Sequence, residues 1–306
     1  MQYAIGIDIG GTKTAIALVD ETGVIVENAT MPTDLTLTPD QMITNISYEI
    51  KRQIDYTNIS NDDIVGIGIG APGPIDNQKG LIVNPPNLQT WTNFPIRDYI
   101  KNEFSFSVIF ENDANAAALA EKWIGAGQGS ENFIFVTVST GIGAGIVSDG
   151  QLLLGQLGNA GDIGHIVIDP SFGQCVCGQY GCLEWIASGT AIARQGSEIM
   201  EQQLSTKEVF DLYFQGEPRI VQLIEKVFRV LGVACVNLTN TFDTEKIVIG
   251  GGVTQVGKVL FNSIQEYVQQ YALGDQRRKT EIVPAQLNQN AGVIGAAALC
   301  FKGISF

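Results

Sequence analysis

Basic side chains are scarce in this chain. Its 306 residues hold 18 Lys and Arg against 32 Asp and Glu, a formal net charge of −14. A surface so poor in cations cannot neutralise a phosphate backbone, so no nucleic-acid partner is expected. Long apolar runs are missing too. None reaches the roughly 18 residues of a membrane span, so no membrane partner is expected either. The start, Met1-Gln2-Tyr3-Ala4-Ile5-Gly6, has no basic leader and runs directly into a strand pattern. The expectation is a soluble, cytoplasmic protein without a secretion signal. No low-complexity linker interrupts the chain, whose length suits two domains better than one small core.

Histidine occurs once, at His165, and three of the five cysteines follow it closely: Cys175, Cys177 and Cys182. One imidazole and three thiolates are the donor set of a closed tetrahedral Zn²⁺ site. Gly178 and Gly181 supply the bends that let three nearby sulfurs face one centre. Two other readings stand beside the metal knot. One is free thiols beside a satisfied core histidine; the other is a disulfide, which an acidic chain without a leader disfavours. A zinc-bound imidazole offers its second nitrogen to an outer partner, here a substrate hydroxyl. Asp162 and Glu184 bring carboxylates to the edge of the knot, while Cys235 and Cys300 lie in apolar helical patterns and read as core.

Tyr3 to Asp20 reads as two strands joined at Gly10-Gly11-Thr12, with a third strand near Gly23 to Asn28. Two familiar phosphate motifs fail here. A Walker loop carries Lys directly after its second Gly, whereas Thr12 separates Gly11 from Lys13. A dinucleotide fingerprint needs a helix after the glycines, whereas Thr14 to Val19 is β-branched and strand-like. What remains is a hairpin turn, Gly10 to Lys13, rich in backbone N–H groups and open to a phosphate. Asp8, just before it, suits Mg²⁺ directly or through water. Alone, this stretch would also fit an ordinary Gly-Gly hairpin. Phe133 to Gly150 repeats the design around Thr140-Gly141-Ile142-Gly143, which implies two related α/β halves facing a cleft. Lys246 to Val253 is a buried strand ending in three glycines, where Gly251 and Gly252 let the backbone approach a flat ring such as adenine.

Ile64 to Asp76 reads as a buried strand breaking into an open Gly/Pro loop at Gly73. Asn84 to Trp91, with Asn87, is a stiff polar and aromatic segment, equally readable as a plain connection. Val108 to Glu121 reads as a short strand delivering Asn112 and Asp113 to an alanine-rich helix. Phosphoryl transfer to an alcohol needs a carboxylate in reach of the attacking hydroxyl and little other covalent help. Asp113 fits that need, with Asn112 fixing a neighbouring hydroxyl. Helix capping is the competing role for this pair. Further helices are expected at Thr38 to Tyr56, Ala187 to Gln203, Thr206 to Phe214, Glu217 to Thr241, Gly257 to Tyr271 and Asn290 to Cys300, the last built of small residues for close packing.

The spacing His-x9-Cys-x-Cys-x4-Cys followed by Leu-Glu closely resembles the signature of the ROK family, named for repressors, open reading frames and sugar kinases. Glu-Asn-Asp-Ala-Asn-Ala and Gly-Gly-Gly-Val fall in the family's order, so the resemblance covers the whole chain. The set of turns also resembles the actin, hexokinase and heat-shock-chaperone ATPase superfamily. The resemblance implies an α/β fold of two ribonuclease-H-like domains with an interdomain cleft. Residues 1–115 and 292–306 would form the N-terminal domain, and 116–291 the C-terminal one with zinc knot and adenosine site. It implies an ATP-dependent sugar kinase with Asp113 as general base, usually toward the six-hydroxyl. Gly73, Asn87, Asn112, Asp162, His165 and Glu184 would hold the sugar. Asp8, Gly10, Gly11, Thr12, Lys13, Thr140, Gly141, Gly143, Gly251 and Gly252 would hold MgATP. Structural Zn²⁺ would sit on His165, Cys175, Cys177 and Cys182, and relatives are commonly homodimers.

One position departs from the pattern. Family glucokinases carry Glu in the Gly-Glu-x-Gly-His run, and Asp162 is a methylene shorter, enough to alter preference between sugars. Gly-Cys-Leu-Glu-Trp-Ile-Ala-Ser-Gly looks somewhat like the bacterial N-acetylmannosamine kinases. Glucose-type hexose therefore ranks first and an N-acetylated hexosamine second, with fructose, mannose and allose behind and polyphosphate as the alternative donor. A repressor would carry a DNA-binding segment before the first phosphate turn, where only a few residues stand. A catalytically dead sugar sensor would have lost Asp8 or Asp113, and both are present.

Overall fold

The computed structural model describes residues 1–301, so the expected placement of 302–306 lies outside the described residues. The chain opens on β1 (Tyr3–Ile9), β2 (Lys13–Asp20) and β3 (Ile25–Pro32), then helix α1 (Pro39–Thr57). Strand β4 (Ile64–Ala71), the short β5 (Ile75–Asp76) and β6 (Leu81–Ile82), helix α2 (Ile96–Glu103), strand β7 (Val108–Asn112) and helix α3 (Asp113–Ile124) follow. Next come β8 (Phe133–Val138), β9 (Ile142–Ser148) and β10 (Gln151–Leu152). Helices α4 (Leu183–Ala187), α5 (Gly189–Met200), α6 (Thr206–Phe214) and α7 (Pro218–Phe242) lead to β11 (Lys246–Gly250), α8 (Lys258–Tyr271), β12 (Glu281–Pro284) and α9 (Ala291–Ala298).

The expected repeat is present in the topology. One five-stranded sheet runs β3-β2-β1-β4-β7 and the other β10-β9-β8-β11-β12. In the first, β1 pairs antiparallel with β2 and parallel with β4. In the second, β8 pairs parallel with β11, and β11 with β12. Neither sheet closes into a barrel.

Two compact units result. The first holds Met1–Gly129, Gly145–Gly161 and the chain from Gln286; the second holds Ser130–Ala144 and Asp162–Ala285. The sequence placed the first border at 115/116, which falls inside α3, and the helix stays whole in the first unit. The last border moves from 291 to 285. Residues 145–161 join the first unit because their backbone packs on its helix and loop: a Cβ on Gly145 would meet Ala118, and Asn159 brackets both the N–H and the C=O of Ile75.

Within the first unit, α9 lies against the sheet almost backbone to backbone. A Cβ on Gly6 would overlap the Val293 carbonyl, and one on Gly68, its register partner in β4, would overlap the carbonyl of Ala296. On the other flank of α9, Gly295 meets the Ala116 carbonyl of α3 in the same way. The opposite sheet face carries Ile5, Ile7, Ile16, Ile67 and Ile69, which are buried with α1 residues Met42, Ile46 and Ile50. These strands are therefore apolar on both faces, as a covered sheet requires.

Several elements depart from the sequence reading. Strand β3 extends to Pro32 because it pairs with β2 down to Lys13. The helix expected over Ala187 to Gln203 breaks at Ser188, whose hydroxyl caps α5 by accepting from the Ala191 N–H. Helix α2 and edge strand β12 were not foreseen. Cys235 is buried in α7, whereas Cys300 lies just beyond α9 and is only partly buried.

A methyl group on Gly68 has nowhere to go. Gly68→Ala is expected to cost about 1–3 kcal/mol through overpacking against a backbone carbonyl, read as a lower midpoint in urea. The same change at Gly129, whose Cβ would meet nothing within 4 Å, removes no space, although its positive φ adds backbone strain. The first variant should show disturbed α9 packing and the second should not.

Candidate active site

In the first unit the C-terminal ends of the parallel strands β1, β4 and β7 share one sheet edge, and the predicted residues sit there. Asp8 is the penultimate residue of β1, and Asn112 ends β7. The Gly10 N–H donates to the Lys13 carbonyl at 2.9 Å, closing the expected hairpin turn. Thr12 and Lys13 are exposed, with Lys13 Nζ donating to Gln289 Oε1 at 3.0 Å. Asn87 lies directly against this turn, since a Cβ on Gly11 would stand 2.8 Å from the Asn87 Cβ.

Asn112 does cap α3. Its Oδ1 accepts from the N–H groups of Ala114 and Asn115 at 2.9 and 3.3 Å. Capping and function do not compete here, because the cap holds the amide so that Nδ2 faces the Gly73 turn, 3.3 Å from where a Gly73 Cβ would be. Asp113 occupies the first position of α3, with Oδ1 accepting from the Ala114 N–H at 2.8 Å. Burial, and then the facing charge of Asp113, push the Asp8 carboxyl up to about 7, with Lys13 pulling the other way. Two acidic groups held together beside a glycine turn are a natural seat for a divalent cation. Gly292 of α9 completes that seat, since any Cβ there would strike the Asp8 carboxylate.

Beneath this turn lies a network that sequence reading missed. Glu111 is buried and accepts from three amides: the Asn112 N–H at 2.9 Å, Asn115 Nδ2 at 3.0 Å and Asn77 Nδ2 at 3.0 Å. Asn112 and Asn115 lie beside it in one short motif, but the third partner, Asn77, stands 34 residues away, so spacing did not announce the cluster.

In the second unit, the second turn spans residues 139–141, with Ile142 and Gly143 opening β9 right beside it. The Ile142 N–H donates to Glu184 Oε2 at 2.8 Å, so one oxygen of this expected sugar ligand is tied to the edge of the turn. Asp162 is exposed and starts the short helical turn that carries His165. Gly251 adopts φ +91° with its α-carbon against the Val138 carbonyl at the end of β8, a place no side chain can occupy. A cavity of about 720 Å³ connects Thr140 with Gly252 and Val253, walled by Lys207, Phe210 and Phe214 of α6. That volume suits a drug-sized ligand. The α6 wall carries no motif, and the sequence placed it only in the body of the domain.

His165, Cys175, Cys177 and Cys182 bring their donor atoms within 4.8 Å of one another. His165 Nδ1 lies 3.6 Å from Cys175 Sγ, which leaves Nε2 on the far side of the ring. Cys177 and Cys182 sulfurs stand 3.5 Å apart, far from a bond near 2.05 Å and close to the ~3.8 Å edge of a tetrahedron with metal–sulfur distances near 2.3 Å. Burial and the neighbouring thiols push Cys182 up to about 12, so the sulfurs resist ionising together without a cation. Donor set and spacing fit zinc.

A model of the family described as ROK matches residues 4–302. The chain belongs to the ROK family. Among its ROK relatives, a glucokinase of Halalkalibacterium halodurans is 37% identical, over 97% of this chain and 94% of that protein. A ROK hexokinase from Thermus thermophilus superposes with a TM-score of 0.85 at 32% identity, covering 97% of each chain. A ROK glucokinase from Streptomyces griseus, solved with glucose and AMPPNP, superposes with a TM-score of 0.83 at 31% identity, over 97% of this chain and 98% of that one.

Stability should carry the signature of Asp8. Its folded pKa of about 7 lies above the unfolded 3.8, so the folded chain binds the extra proton between those values and stability falls as pH rises through that window. Mg²⁺ should therefore raise Tm more at pH 8 than at pH 5. In Asp8→Asn the fall and the Mg²⁺ effect should both shrink, as thermal melts with and without MgCl2 will tell.

Proposed function

We propose that this ROK protein is an ATP-dependent hexokinase of the glucokinase type, transferring phosphate to the six-hydroxyl of glucose. The observation that carries this reading is the Asp8–Asp113 pair beside the Gly10–Lys13 turn, a base and a cation seat at one sheet edge. Its relatives of known name support it: a glucokinase at 37% identity and a glucokinase bound to glucose and AMPPNP.

Asp113 accepts the proton of the attacking hydroxyl as the new P–O bond forms, and ADP carries away the electrons of the broken bond. Asn112 Nδ2, the Gly73 turn and Asn87 hold the sugar in the first unit. On the family resemblance, Asp162, His165 Nε2 and the second oxygen of Glu184 are sugar ligands too. Backbone N–H groups of the two glycine turns other than those of Gly10 and Ile142, which are already bonded, donate to phosphate oxygens, while the cavity between Gly252 and α6 takes the adenosine. Asp8 would hold Mg²⁺, which neutralises the phosphate charge. Zinc on His165 and the three cysteines would fix the imidazole as a rigid donor and brace the sugar wall. The enzyme works in the cytoplasm as a homodimer.

Turnover is tested by ADP release with MgATP over glucose, mannose, fructose, allose, N-acetylglucosamine and N-acetylmannosamine. Glucose is expected to give the highest kcat/KM. Turnover confined to an N-acetylated sugar would assign Asp162 to an acetamido pocket and overturn the glucose assignment. Asp113→Asn should lower kcat by at least about a hundredfold, as loss of a general base does, while glucose Kd moves little. Full activity in that variant would remove Asp113 from the base role.

The metal knot has its own check. Purified protein kept from chelators should contain one zinc per chain by elemental analysis. Cys175→Ser should lose the metal and melt at lower temperature.

A further inference from the structure

Glu111 is a carboxylate that the reading above leaves without a role. It is 3% exposed and lies in β7 immediately before Asn112 and Asp113. Its three partners are amide N–H groups, two from the adjoining turn at Asn112 and Asn115 and one from Asn77, 34 residues away in the chain. Oε1 accepts from the Asn112 backbone N–H and from Asn115 Nδ2, and Oε2 accepts from Asn77 Nδ2. The second hydrogen of Asn115 Nδ2 points to the Gly158 carbonyl at 3.3 Å. The Asn77 N–H donates to Leu157 O, and Asn159 clamps Ile75 from both sides. One buried carboxylate therefore ties together the turn that opens α3, the segment Ile75–Gln78 behind Gly73, and the loop Leu157–Asn159.

We propose that Glu111 is a positioning residue for the phosphoryl transfer, its buried carboxylate fixing the Asn112–Asp113 turn against the Ile75–Gln78 and Leu157–Asn159 loops. The argument is one of chemistry. Three donors converge on one side chain, and only a carboxylate offers two accept-only oxygens for them. Bonds to an ionised acceptor are shorter and roughly twice as strong as neutral ones, which suits a residue that must hold a backbone N–H in place. The bond it holds belongs to Asn112, whose own side chain caps α3 and thereby sets where Asp113 begins the helix. Asn159 Oδ1 and Asn112 Nδ2 both lie within 3.4 Å of where a Gly73 Cβ would be, so the clamp also sets the width of the sugar-side turn. The proposal rests on the kinase reading for its kinetic consequences but not for its geometry.

Glu111→Gln is the discriminating variant. Gln keeps the shape and one acceptor oxygen, and a flip of the Asn77 amide can satisfy its NH2, so folding survives while the bond to the Asn112 N–H loses its charge assistance and weakens. Expected is a roughly tenfold lower kcat/KM for the sugar, with KM for MgATP within about twofold and Tm nearly unchanged. Asn77→Ala, which cuts only the outer arm of the clamp, should act in the same direction by about threefold. Wild-type sugar kinetics in both variants would overturn the proposal. So would equal losses toward sugar and MgATP with a matching fall in Tm, the mark of a merely structural residue. Hydrogen exchange at the Asn112 amide keeps the test apart from the kinase reading. Faster exchange in Glu111→Gln supports the clamp even if no sugar in the panel is phosphorylated, and unchanged exchange overturns it.

Discussion

The first unit depends on the closeness of α9 to its sheet. Gly6 and Gly68 sit side by side on β1 and β4, and both present bare backbone to carbonyls of α9. Few packings allow a helix to lie so near a sheet, because an ordinary interface keeps side chains between the two layers. Here the layer is thin by construction. Ala296 and Ala297 add little bulk, and Gly295 lets α3 approach from the other flank. The consequence reaches the site: α3 begins with Asp113, β1 ends beside Asp8, and Gly292 at the start of α9 leaves the Asp8 carboxylate just enough space.

Parallel strands then do the rest. Because β1, β4 and β7 run the same way, their carboxyl ends gather Asp8, the Gly73 turn and Asn112 along one edge. Open α/β sheets bind ligands outside such edges. A carboxylate pair placed there must face either a proton or a cation, and the raised pKa of Asp8 expresses that choice. Burial is its first cause, so the pressure toward a cation comes from the fold itself rather than from Asp113 alone.

What was legible in the sequence was local. The glycine hairpins, the Asn112–Asp113 junction and the histidine–cysteine cluster each lie in one short stretch, so spacing alone announced them. The donor atoms of that cluster are close in space largely because they are close in sequence. Glu111 was invisible for the opposite reason. Its meaning lies in Asn77, which only the packing of β7 on the loop behind Gly73 brings to it, beside its near neighbours Asn112 and Asn115. The compact units differ from the expected border at 115/116 on the same ground, since α3 packs along one flank against α9. The α6 wall of the second unit's cavity was hidden too, since Phe210 and Phe214 are ordinary amphipathic helix residues until Gly252 comes to lie opposite them.

The helix cap that Asn112 makes is compatible with the ligand-holding role proposed for it. An asparagine has an acceptor and a donor on the same rigid plane. Spending the acceptor on the first N–H groups of α3 fixes χ angles that would otherwise be free, and the donor is thereby aimed at the Gly73 turn without further support. Glu184 follows the same logic in the second unit, with one oxygen spent on the Ile142 N–H and the other left oriented by that bond. Each side chain gives half its hydrogen-bonding capacity to the backbone that must stay still. The half that remains is pre-organised, so a ligand meeting it need not supply the ordering itself.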